Sequence, residues 1–221
     1  MLTDPAWAAV PGLRHGFLDA RECQSLSWET TLTSVGVRLP LVLPRQVHGT
    51  RVVEADRAAP PPEADGLSTT APGLLVGVVT ADCMPVLLLD ERRRVASAVH
   101  AGWRGAAAGV LEAALRQLRE RYGSEPTEVV AAIGPAIGGC CYEVGDEVRA
   151  AFQARTGDVT RAAWNGRRHV DLRTAAAALL AADGVERVAV LGPCTACGRG
   201  YHSYRRDGAG TGRQLGFIGW A

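Results

Sequence analysis

Apolar residues in this chain fall into short runs of strand length, interrupted in the second half by helical stripes. Strand-like runs lie near positions 41–43, 47–55, 74–79, 86–89, 95–99, 129–133, 188–191 and 215–218. Helical periodicity is clearest after Gly105. Val110, Leu111, Ala114, Leu115 and Leu118 share one stripe, Glu112, Arg116, Arg119 and Glu120 occupy the other faces, and Gly123 ends it. Two further helices are expected, over about 145–155 and 172–182. Mixed strands with a few interspersed helices predict an α/β (α+β) fold, one domain of stacked layers over residues 1–221.

Three segments place polar side chains where this pattern calls for buried strand. They are RQVHGT with His48, TADCMP with Cys83, and AVHAGWRG with His100. The second is the oddest: Asp82, Cys83 and a strand-breaking Pro85 stand between two core-like runs. Such local inconsistency is poor sequence for stability and is expected at functional sites. Two imidazoles and one thiolate form a three-ligand set for a catalytic zinc, with the fourth position open. His100 is expected at the end of a strand, before a Gly-Trp-Arg-Gly turn and a helix. Arg104 in that turn is suited to a phosphate or carboxylate through a two-pronged hydrogen bond.

Composition narrows the chemistry. At 221 residues and 47% apolar content the chain can bury a core, and its net charge of +1 offers no broad attraction to nucleic acid or membrane. No run reaches membrane-spanning length, and the start lacks a basic segment followed by an apolar one, so a cytoplasmic protein is expected. All 24 basic residues are arginine. The lack of lysine excludes a lysine Schiff base and a Walker-type phosphate loop. The six cysteines are read as free thiols, one or more on a metal.

Other motifs are read more plainly. Cys194-Thr195-Ala196-Cys197 has the spacing of half a zinc ribbon, but its potential partners Cys140 and Cys141 are adjacent rather than spaced, so a structural turn is expected. His15 and His169 sit in strand-like contexts and are taken as structural. Gly134-Pro135-Ala136-Ile137-Gly138-Gly139 is a backbone-dense loop, and 205–208 with 211–213 is either an anion-binding strip or a solvated hairpin.

RQVHGT, ADGLSTTAPGLLVGVVTADCMPVLLLD, VASAVHAGWRG, IGPAIGGCCYEVGDEV and SYRRDGAGTGR, in this order, closely resemble the laccase-domain family from about Arg45 onward. That family, long labelled polyphenol oxidase, is now read as purine nucleoside phosphorylases with adenosine deaminase activity. The resemblance implies a layered α-β-β-α sandwich with mixed sheets and a single zinc on His48, Cys83 and His100. It implies conversion of adenosine, inosine or methylthioadenosine to free base and ribose 1-phosphate, with no obligate protein partner. The residues expected in catalysis are Asp82 (proton carrier or orienter), Cys83, His100 and Arg104. Arg45, Gln46, Arg104, Ser203 and Arg205 are expected to bind nucleoside or phosphate. Deamination fits the metal directly, since zinc lowers the pKa of bound water to about 7. Two departures stand out: positions 16–40 are shorter than the family pattern, and Ala136 replaces a frequent cysteine.

Three rivals differ in chemistry. Copper could replace zinc, since two histidines and a cysteine near Met84 also suit a blue-copper site, but five histidines are too few for a multicopper cluster besides. A metal-free cysteine hydrolase would use Cys83 as nucleophile and His100 as base, leaving His48 unexplained. A non-catalytic binding protein would turn over no nucleoside.

Overall fold

The computed structural model describes residues 1–24, 27–166 and 168–221. In chain order the elements are β1 (Leu13–Phe17), α1 (Trp28–Ser34), β2 (Leu41–Val42), β3 (Val52–Glu54), β4 (Gly66–Thr69), β5 (Leu74–Thr80), β6 (Met84–Asp90) and β7 (Val95–Ala101). There follow α2 (Trp103–Ala108), α3 (Val110–Tyr122), β8 (Val130–Ile133), α4 (Asp146–Thr156), β9 (Trp164–Asn165) and β10 (His169–Val170). The chain closes with α5 (Leu172–Ala182), β11 (Arg187–Val190), α6 (Tyr204–Asp207) and β12 (Gln214–Trp220).

Two mixed sheets lie face to face. The smaller runs β1-β12-β5-β2, the larger β11-β8-β6-β7-β4-β3, and β9 with β10 makes a separate two-stranded sheet. Strand β6 shows why the sequence demands this stack. Val86 and Leu88 join the cluster under the helices, with Leu111, Leu115 and Leu118 of α3 and Leu179 of α5. Leu87 and Leu89 point the other way, to Val76 and Val78 of β5 and Ile218 and Trp220 of β12. Side chains alternate faces along a strand, so a strand apolar at every position must be covered on both. Leu32 of α1 packs with Leu75, Leu215 and Phe217 on the outer face of the smaller sheet. The layers are therefore α, β, β, α.

The expected helices appear at α3, α4 and α5, and Gly123 ends α3 in a left-handed conformation at φ 72°. Two expectations are corrected. The run at 47–55 forms a strand only at β3, because the backbone before it bonds to a side chain instead of a neighbouring strand. Pro85 does not break its strand: it is the second residue of β6, near a strand end where proline is tolerated. The departure at 16–40 includes Ser25 and Leu26, which lie outside the described residues; α1 forms within the remainder.

The polar island is explained by topology. Strand β5 belongs to the smaller sheet and β6 to the larger, so Ala81, Asp82 and Cys83 are the corner where the chain changes sheet. The loop from β2 to β3 makes the same crossing and carries His48.

Because β6 is buried on both faces, its side chains should dominate stability. Leu88→Ala removes a fully buried side chain and should cost about 2–5 kcal/mol. Val190→Ala, at a position 48% exposed in β11, should cost less than about 0.5 kcal/mol. Chemical denaturation of both variants checks the ranking.

Candidate functional site

The crossing points put His48, Cys83 and His100 side by side. One donor atom from each lies within 4.8 Å of the others. Cys83 Sγ is 4.0 Å from His48 Nε2, and the two imidazoles meet edge to face at 84° with centroids 4.8 Å apart. Gly102, which caps the start of α2, backs this group closely: a Cβ there would lie 3.0 Å from both Cys83 Sγ and His48 Cδ2. A larger residue there would press on both side chains.

Asp65, just before β4, holds the arrangement together. Its fully buried carboxylate accepts the amides of Val47 (3.3 Å), His48 (2.9 Å) and Gly49 (2.6 Å). It also pairs with His100 Nδ1 at 2.8 Å, and its backbone oxygen accepts the His100 amide at 2.7 Å. The bond at Nδ1 leaves His100 Nε2 as the ring atom available to a metal. His48 has a φ of 60°, a conformation that β-capable residues avoid and that the three bonds to Asp65 impose.

Charge at the site is unusual. Burial alone would raise the Cys83 pKa, but His100 and His48 beside the sulfur bring it down to about 6. Burial alone would lower that of His100, yet Asp65 and the Cys83 sulfur lift it to about 9. Burial likewise opposes ionisation of Asp65, and the His100 ring with the Gly49 and Val47 amides holds its pKa below the usual range. The pocket thus stabilises a thiolate next to positive charge. A thiolate with two imidazoles is a donor set that fits a zinc-like or copper-like ion.

These residues open into a cavity of about 640 Å³. Gln46, Asp82, Trp103, Arg104, Tyr142, Tyr204, Arg205 and Arg213 also line it. Arg104 stacks on Trp103 at 4.6 Å, and among the described residues its guanidinium has no hydrogen-bonding or acidic partner. Arg205 lies 5.0 Å from the Tyr142 ring and donates to the Glu143 carbonyl at 3.0 Å. The Gln46 amide behaves as a piece of strand, donating to the Val79 carbonyl and accepting the Val79 amide, both at 2.8 Å.

Not every expected residue reaches the cavity. Arg45 is exposed and paired with Glu63 at the surface, away from the lining. Ser203 is fully buried behind Asp82, donating to its carboxylate at 3.1 Å. Asp82 also accepts from Thr195 Oγ1 at 2.6 Å and the Arg205 amide at 2.7 Å, with φ at 86°. Three donors to one carboxylate suit an orienter of the surrounding loops. Among the described residues none between 16 and 40 lines the cavity.

Two features escape a reading by sequence alone. Asp65 is one, although it sits in the ADG step that opens β4. The other is a second donor group: Cys140, Cys141, Cys194 and Cys197 bring their sulfurs within 4.8 Å of one another. The segment 194–197 forms the expected turn, and that turn places its two cysteines beside adjacent Cys140 and Cys141.

Comparison with known proteins follows the same lines. A Deinococcus radiodurans protein named purine nucleoside phosphorylase is 41% identical over 174 residues, covering 79% of this chain and 68% of that protein. A protein named adenosine deaminase RL5, from an unknown prokaryotic organism, is 36% identical over 202 residues, covering 83% of this chain and 77% of its own length. The crystal structure of the hypothetical protein YfiH from Bacillus licheniformis matches with a TM-score of 0.85 at 26% identity, over 95% of this chain and 93% of that one. A family model described as multi-copper polyphenol oxidoreductase laccase matches residues 16–221, and the chain belongs to that family.

Proposed function

We propose that this chain is a zinc-dependent purine nucleoside phosphorylase with adenosine deaminase side activity. The observation that carries the reading is the joining of a two-histidine, one-cysteine group to a cavity walled by aromatic rings and unneutralised arginine. Relatives named for both activities support it. Between a single zinc and a multicopper centre, the number of donor groups favours zinc. Among the described residues, groups able to hold a metal number two, one with two histidines and one with none, and neither resembles a multicopper cluster.

Each chain residue has a role in this reading. His48, Cys83 and His100 would hold the zinc, which when bound supplies a Lewis acid at the cavity wall. Trp103, Tyr142 and Tyr204 offer ring faces to a flat purine. Arg104 and Arg205 present guanidinium donors to phosphate, which the planar fork matches in geometry. Asp82 is a positioning residue that ties the Arg205 backbone to the loop beneath it. Asp65 positions both histidines.

Three measurements test the reading. His48→Ala, Cys83→Ala and His100→Ala should each lose the metal at this site and turnover of nucleosides. Full metal retention at the site in all three, or rapid alkylation of Cys83 in metal-replete protein with a covalent substrate adduct, would replace it with thiol chemistry.

Asp65→Asn should leave His100 without its anionic partner and loosen the loop that carries His48. Metal affinity should fall about 10–100-fold, the usual cost of losing such an outer partner. Competition with a chelator reads the change. Unaltered affinity would reduce Asp65 to a folding role.

Arg104→Ala should raise the KM for phosphate about ten- to hundredfold, the loss of about 1.5–3 kcal/mol in a charge-assisted hydrogen bond. Deamination of adenosine, which uses no phosphate, should change much less. Arg104→Lys should recover part of the loss, because an ammonium lacks the planar fork. Equal falls in both reactions with phosphate KM unchanged would make Arg104 structural.

A further inference from the structure

Strands β8 and β11 run parallel and adjacent at one edge of the larger sheet, with Ile133 beside Val190. The loops that leave their ends stay together, joined by a bridge between Ala136 and Cys194. Cys140 and Cys141 stand on the first loop, Cys194 and Cys197 on the second. Residues far apart in sequence thus become two pairs of sulfurs facing one point.

We propose that Cys140, Cys141, Cys194 and Cys197 form a second metal site, a structural tetrathiolate site for zinc. It is separate from the group at His48, Cys83 and His100 and independent of the activity assigned to that group.

Distances support the assignment. Four sulfurs about 2.3 Å from a tetrahedral zinc stand roughly 3.8 Å apart. Here all four lie within 4.8 Å of one another, and Cys140 Sγ is 3.6 Å from Cys197 Sγ. All four thiols are free, and a disulfide would need about 2.05 Å.

The surroundings suit concentrated negative charge. The Gly138 amide donates to Cys194 Sγ at 3.2 Å, and the Ala196 and Cys197 amides face the same sulfur. The turn between the paired cysteines is tight: the Gly198 amide reaches the Cys194 carbonyl at 2.7 Å, and a Cβ on Gly198 would lie 2.4 Å from that oxygen. Arg206 grips the same turn from outside, donating to the Thr195 and Ala196 carbonyls at 3.0 and 3.1 Å. Amides aimed at the sulfur and a cation held on the turn offset the charge that four thiolates bring to a divalent ion. Binding displaces the thiol protons to solvent and changes no oxidation state.

The position also gives the site a purpose. Thr195, between the paired cysteines, donates to Asp82, and Tyr142, next to Cys141, lines the cavity. A metal here would staple together the two loops that shape one wall of the cavity.

The test is metal content with the local structure of the metal. Wild type loaded with zinc and passed through a desalting column should hold two equivalents per chain. His48→Ala/Cys83→Ala should hold one, and its X-ray absorption should show four sulfur neighbours at about 2.3 Å. Cys140→Ser/Cys197→Ser should lose that equivalent and keep the other. Should this variant fail to fold, stoichiometry of the wild type and the sulfur shell in His48→Ala/Cys83→Ala decide alone. A single equivalent in wild type with none in His48→Ala/Cys83→Ala would overturn the proposal. So would a residual zinc with nitrogen or oxygen neighbours, or a Cys140–Cys197 disulfide in protein purified from reducing cytoplasm.

Discussion

The carboxylate of Asp65 is buried, among the described residues, without a basic side chain other than histidine beside it, and a bare buried charge is expensive. It is tolerated because it accepts three backbone amides and the His100 ring. The same bonds do geometric work. They draw residues 47–49 out of any strand, hold His48 at a left-handed φ, and fix which nitrogen of His100 is free. Removing the carboxylate would leave amides unpaired and both imidazoles without an orientation. The positions of both imidazoles in the donor group depend on that one cluster of bonds.

Its location follows from the sandwich. Chain crossings between two face-to-face sheets create corners where side chains need not serve either core. The β2–β3 and β5–β6 connections are such corners, and they deliver His48 and Cys83. His100 comes from β7, paired with β6 so that it stands opposite Pro85. The candidate donors thus come from three separate pieces of backbone, His100 held in β7 by sheet hydrogen bonding and His48 in its loop by the bonds to Asp65.

Much of this was legible in residue order. Runs buried on both faces announced β5, β6 and β7, and the stripe ending at Gly123 announced α3. The strands β1 and β4 did not show as apolar runs for a shared reason, though the surroundings of His15 read as strand-like: Arg14, His15 and Gly16, or Ser68 and Thr69, blur the apolar pattern. Their polar groups are satisfied by specific partners, as where Ser68 meets the Tyr122 hydroxyl at 3.0 Å and the Asp4 amide meets the His15 ring at 3.1 Å. Such bonds connect residues distant in sequence and leave no periodic trace. Of the donor residues, His48, Cys83 and His100 stood out because each interrupts a core-like run. Arg45 stood out equally, yet the loop turns it to Glu63 at the surface.

The four-cysteine group shows the limit of spacing rules in another way. Spaced pairs such as Cys-x-x-Cys are recognised because a short turn must place both sulfurs on one side. Cys140 and Cys141 meet the same requirement by different means. They lie in a turn where both the Cys141 and Tyr142 amides return to the Gly138 carbonyl, at 3.0 Å each, so successive side chains do not point to opposite sides as they would in a strand. Whether adjacent cysteines can share one ion is therefore decided by backbone curvature. Here the curvature is supplied by the parallel pairing of β8 with β11 and the bridge beyond it. Asp82 then links this corner to the first: it borders Cys83 in sequence and accepts Thr195 from between Cys194 and Cys197.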